Sequence, residues 1–154
     1  DFEAKYEAAP GIKRFLTGTQ SVLALSAVNA SLSVFEGLAM QDVRTRSLAL
    51  TGHFIARWEQ SSVLQSHAAL VTPIDDAQRG SQVSLSLESA FPVSQALIAD
   101  GVIVDFREPN IVRFGFSPLY NTFSDADQAI ASLEAVLTSE RHRLPQFQIR
   151  STVT

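Results

Sequence analysis

The chain has no cysteine, which excludes disulfides, thiolate nucleophiles and thiolate metal sites. Charge is also sparse: 18% of residues are charged, too few for a disordered or highly solvated chain. Lysines and arginines number 12 against 16 acids, a net charge of −4, and no basic stripe gathers them. Nucleic acid is therefore not an expected partner. No apolar run approaches the ~20 residues that span a bilayer, so no membrane partner is expected either. No signal peptide is visible at the start. Together with the missing cysteines, this fits a cytoplasmic protein. The three histidines, His53, His67 and His142, have no i,i+4 partner and no acid at ligand spacing, so no metal site is expected. His53 and His142 read as surface residues. Gly18 alone makes no dinucleotide loop. Gly115-Phe116-Ser117-Pro118-Leu119 lacks the second glycine of a nucleophile elbow.

What remains suits one globular domain with a real core: 154 residues, 45% of them hydrophobic. The first residues, DFEAKYEAAPGIKR, show neither helical nor alternating periodicity, and Pro10-Gly11 punctuates a turn. They read as an interdomain connector, 1–14, and the whole as a piece of a longer polypeptide. Residues 15–143 read as a small domain and 144–154 as a tail.

Within the domain, apolar steps of three and four at Leu25, Val28, Leu32 and Phe35 predict a helix from Ser21 to Gly37. A second helix is predicted over Gln41–Glu59, on Val43, Leu50, Phe54 and Trp58, with Leu48 and Ile55 widening the stripe. Arg44, Arg46 and Arg57 are expected to be solvated. His67–Thr72 reads as a short strand and Pro73–Gly80 as a loop. Gln82–Leu87 alternates, with Val83, Leu85 and Leu87 inward. A helix over Phe91–Asp100 ends at Gly101. Val102–Phe106 and Ile111–Phe116 read as paired strands around the turn Arg107-Glu108-Pro109-Asn110. Ser124 is expected to cap a last helix, with Ile130, Leu133 and Leu137 buried, Arg141 and Arg143 near its negative end, and Leu144-Pro145 stopping it. This order predicts an α+β fold, a small antiparallel sheet covered on one face by helices.

Two residues invite a chemical reading. Arg113 stands inside the apolar run Ile111–Phe116. Strand alternation puts Val112, Phe114 and Phe116 on one face, and Ile111, Arg113 and Gly115 on the other. A permanent cation beside a glycine that clears space suits an anion clamp, since guanidinium grips a carboxylate through two parallel hydrogen bonds. The alternative is a solvated arginine on the open face of a sheet. Thr19, just before the first helix, has a hydroxyl beside the free N–H groups of a helix N-terminus, which suits a phosphate. A simple N-cap is the alternative there.

Four blocks occur here in the order seen in the C-terminal part of bacterial kynureninases. They are FLTGTQSVLALSAVNASLSVFEGLAMQDVRTRSLALTGHFI, RGSQVSL, ALIADGVIVDFREPNI and RFGFSPLYNTF. The resemblance runs from about Pro10 to the tail FQIRSTVT. It departs at Ser86-Leu87-Glu88-Ser89, where the family commonly carries a His-Pro-Glu-like turn. It implies the small domain of a fold-type I, class V-like enzyme that depends on pyridoxal 5'-phosphate. Such an enzyme is a cytoplasmic homodimeric hydrolase of tryptophan catabolism, in the kynurenine pathway towards NAD biosynthesis. It splits kynurenine or 3-hydroxykynurenine into anthranilate or 3-hydroxyanthranilate and alanine. It further implies that Arg113 binds the substrate's α-carboxylate and that Thr19 binds the cofactor phosphate from the neighbouring subunit. Arg107 also matches a family position, with pairing to Asp105 or Glu108 as its simpler role.

The resemblance also implies that the Schiff-base lysine, and with it every catalytic group, falls in a large domain that these residues do not include. Only Lys5 and Lys13 occur here, and Lys5 precedes Tyr6 rather than following a tyrosine as in the family. Partners implied are that large domain, a second subunit and the substrate. Alternatives are a stand-alone binding or dimerisation domain that kept the fold, or another lyase of the class, such as a desulfurase.

Overall fold

The computed structural model describes residues 6–16 and 18–150; Lys5 lies outside them. The chain divides into two compact units, 1–38 and 39–154.

In the first unit a short 3-10 turn, Gly11–Phe15, precedes helix α1, Val22–Ser33. Ser21 caps α1 by accepting a hydrogen bond from Ala24 N, and turns lead on to Gly37 at φ +78°. The helix is shorter than predicted because the chain leaves α-helical hydrogen bonding after Ser33. None of its residues is buried.

The second unit holds α2 (Met40–Gln60), α3 (Ser62–His67), β1 (Ala69–Leu70), β2 (Gln82–Ser86), α4 (Ala90–Ala99), β3 (Asp105–Arg107), β4 (Ile111–Gly115), α5 (Phe123–Thr138) and α6 (Pro145–Gln148). The strands form one antiparallel sheet in the order β1-β2-β4-β3. Val83, Leu85, Val112 and Phe114 face one way into a core shared with Leu50 and Phe54 of α2, Val93 and Leu97 of α4, and Ile130 and Leu133 of α5. The fold is the predicted α+β arrangement. Phe54 lies against Phe114 and Phe116, with ring centroids 4.8 and 5.4 Å apart.

Local chemistry explains where the elements stop. At the end of α4, Gly101 N donates to Ile98 O and Val102 N to Leu97 O, a closure that needs φ +82° at Gly101. Residues 102–104 then stay outside the ladder, so β3 starts at Asp105 rather than Val102. The predicted strand His67–Thr72 shrinks to two residues. Ser61 caps α3 by accepting from Leu64 N at 3.1 Å, which carries helix through His67. Helix α5 begins one residue before Ser124. Its cap is Thr122, joined to Asp125 in a reciprocal capping box. The hydrogen bond from the backbone N–H of Thr122 holds the Asp125 carboxyl below its ordinary value.

Three sequence expectations about polar residues are corrected. His142 is buried, its Nδ1 3.2 Å from Val136 O, because the chain folds back over the end of α5. Arg141 ties to Asp100 and to Ala96 O at the end of α4 rather than to α5. Arg44 is half-buried rather than freely solvated: its Nη1 donates to Arg79 O at 2.8 Å and its Nη2 to Asp76 O. Arg79 is itself buried, donating from Nε to Thr51 Oγ1 at 3.0 Å and pairing with Asp76. These contacts shape the loop 73–80. Among residues 144–150, Phe147 is buried, and Arg150 lies over the rings of Phe91 and Phe106. Among the described residues no helix is long and apolar enough to cross a membrane.

Candidate functional site

Alternation along β4 sends Val112 and Phe114 into the core and leaves Arg113 on the sheet's other face. That face is polar. Across β4, Arg113 is registered with Ser84 of β2 on one side and Asp105 of β3 on the other. Beside them, Gln82 Nε2 donates to Ser84 Oγ at 3.0 Å and Asn110 Nδ2 to Ser86 Oγ at 2.9 Å.

The arginine points away from the hydrophobic interior, as alternation requires, but it does not stand alone. Its Nη2 donates to Asp105 Oδ2, and Arg107 Nη2 reaches the same oxygen at 3.2 Å. Arg107 thus takes Asp105, while Glu108 pairs with Arg150. Two guanidinium groups share one carboxylate, which leaves a surplus of one positive charge. Arg113 is 28% exposed, and its Nε is buried with no hydrogen-bond partner. The arrangement can bind an anion of one charge, a carboxylate in particular. Its one carboxylate, Asp105, is engaged by both arginines, so the cluster positions rather than reacts.

Sequence reasoning placed Arg113 on the correct face and missed Asp105 as its partner. The signal was present: residues 105 and 113 stand equally far from Pro109, so a symmetric hairpin sets them opposite one another.

Thr19 belongs to the first unit and is described within it. It is exposed and lines a shallow hollow with Gln20, Val22, Leu25, Ser26 and Asn29. The N-cap role goes to Ser21, so that explanation of Thr19 is removed. Its hydroxyl makes no hydrogen bond among the described residues.

Two other features lie apart from this cluster. A hollow of about 440 Å³ opens where the β3–β4 ladder ends, lined by Val102, Ile103, Phe116, Tyr120, Asn121 and Gln128. Its one carboxylate, Asp125, is consumed by the helix cap. His53, expected at the surface, is half-buried. Its Nε2 lies 2.9 Å from Asp127 Oδ1, which Arg57 Nε also approaches to 2.9 Å. The hydrogen bond with His53, ahead of the neighbouring charges, draws the Asp127 carboxyl below its ordinary value. This knot ties α2 to α5.

Residues 43–133 match the family model of the Kynureninase C-terminal domain. The chain is 46% identical over 149 residues to a kynureninase of Burkholderia mallei (strain SAVP1), covering 97% of this chain and 36% of that relative. A kynureninase of Pseudomonas fluorescens is 44% identical over 152 residues, covering 99% of this chain and 36% of its own. The chain therefore spans about a third of the length of these relatives. In three dimensions it resembles a NifS-like protein, with TM-score 0.61 over 86% of this chain and 38% of the other, at 16% identity. That likeness shows the fold alone.

Proposed function

The chain belongs to the kynureninase C-terminal domain family, and on that premise we propose that it is the substrate-positioning part of a kynureninase. The whole protein, in this reading, is a cytoplasmic homodimer that uses pyridoxal 5'-phosphate to hydrolyse kynurenine or 3-hydroxykynurenine. The products are anthranilate or 3-hydroxyanthranilate, and alanine. The observation that carries the reading is the Arg113 cluster. It offers a net positive charge, aimed off the core, on the open face of the sheet.

The residues present fit pyridoxal phosphate at its phosphate end only. Thr19 offers an exposed hydroxyl in a hollow ahead of α1, with no capping duty to occupy it. The chain has two lysines, Lys5 and Lys13, both before the domain, so the aldehyde is held by protein beyond these residues and the isolated chain is inactive. When bound, the cofactor supplies an electron sink for charge developing on the substrate. Arg113 contributes orientation: it grips the α-carboxylate through parallel N–H donors and so fixes the α-carbon relative to whatever reacts with it.

Arg113→Ala in the full-length enzyme tests this. The expected result is a fall in kcat/KM of about 100-fold, or ~3 kcal/mol, carried mainly by KM, with cofactor affinity unchanged. Equal loss of substrate and cofactor affinity in a folded variant would reject the clamp.

A further inference from the structure

Arg113 is held at one corner. Asp105 Oδ2 engages Nη2, while Nη1 has no partner among the described residues. The contact follows from backbone register, since Asp105 lies directly opposite Arg113 across the β3–β4 ladder. Aspartate has a single methylene, so its carboxylate stays close to its own strand. The long arginine is thereby drawn to a defined spot above the open face. An untethered arginine samples many rotamers and loses that freedom on binding. A tethered one has lost it beforehand.

The sharing of Asp105 matters as much. An isolated Arg113–Asp105 pair would be neutral and would compete with an incoming carboxylate. Because Arg107 reaches the same oxygen at 3.2 Å, the cluster stays cationic while Arg113 stays fixed. One further carboxylate brings it to neutrality.

We propose that Asp105 is a positioning residue for substrate. It holds the Arg113 guanidinium in place for the α-carboxylate, and Arg107 offsets its charge so that it does not act as a rival anion. This rests on the reading of Arg113 as the carboxylate clamp.

The test uses the full-length, cofactor-loaded enzyme carrying Asp105→Asn, Asp105→Glu or Arg113→Ala, with L-kynurenine as substrate. Asp105→Asn is expected to raise KM about tenfold with kcat within about twofold, and Asp105→Glu to fall between it and the parent. The second readout is inhibition by kynuramine, which is kynurenine without its α-carboxylate. Its inhibition constant should move less than about twofold in Asp105→Asn, because nothing on it addresses the clamp. A merely structural role would weaken both ligands alike, and that result overturns the proposal. An unchanged or lowered KM in Asp105→Asn, with a raised KM in Arg113→Ala, also overturns it while leaving the clamp standing. An unchanged KM in Arg113→Ala removes the clamp and the proposal together. Circular dichroism and cofactor absorbance establish folding, and Asp105→Glu retains a carboxylate should Asp105→Asn fail to fold.

Discussion

Helices α1 and α5 are both rich in apolar residues, yet they meet opposite fates. In α5, Ala126, Ala129, Ile130, Leu133, Val136 and Leu137 form one stripe, and all six are buried. In α1 nothing is buried, although it carries no charge and Leu23 and Val22 are 85% and 73% exposed. The difference lies in what faces each stripe. Helix α5 concentrates its apolar residues on one side and places Asp125, Asp127 and Glu134 elsewhere, so a single facing surface satisfies it. Helix α1 gathers Val22, Leu25, Val28 and Leu32 on one side, with Leu23 off it, yet all five stay exposed because nothing among the described residues covers them. An apolar side chain stabilises a fold only when other atoms replace the water around it.

The sharpest way to break this comparison is to truncate one side chain from each region and measure urea unfolding. Phe54→Ala removes a ring that is fully buried against Phe114 and Phe116, and should cost about 3–5 kcal/mol. That is a large share of a domain's stability. A milder test concerns the cap of α5. Asp125→Ala should lower the unfolding midpoint at neutral pH. The carboxyl titrates below its ordinary value of 3.8, so its stabilisation is present above that value. It fades as pH falls through the lowered pKa, and the variant and parent should converge in strong acid. A gap that widens with acidity would contradict the cap. The smallest effect is expected from Leu25→Ala in α1, less than about 0.5 kcal/mol, since that side chain is already half in water. A loss comparable to that of Phe54→Ala would erase the distinction between the buried core and α1.

Much of the fold was legible because its signals are local. The alternation of Val112, Arg113 and Phe114, the stripe of α5 and the glycine after α4 each depend on residues within a few positions of one another. The misses turn on contacts that the spacing of residue types does not reveal. His142 sits between two arginines and reads as solvated, yet the returning chain buries it beside Val136 O. Arg44 looks like an ordinary surface charge until the loop 73–80 folds against it and takes its Nη1 on Arg79 O. Thr122 competes with Ser124 as a cap, and the reciprocal bond with Asp125 decides between them.

The candidate site divides along the same line. Sequence alone determined that Arg113 is a permanent cation on the non-core face of a strand, because side-chain period and guanidinium chemistry are properties of the residue and its neighbours. It also determined that no lysine follows Lys13. Only the tertiary structure decided that Arg113 and Arg107 meet on one oxygen of Asp105, because the reach of long side chains depends on how two segments pair in space. It likewise decided that α5 is buried and α1 is not, since burial belongs to a pair of surfaces and never to one helix by itself.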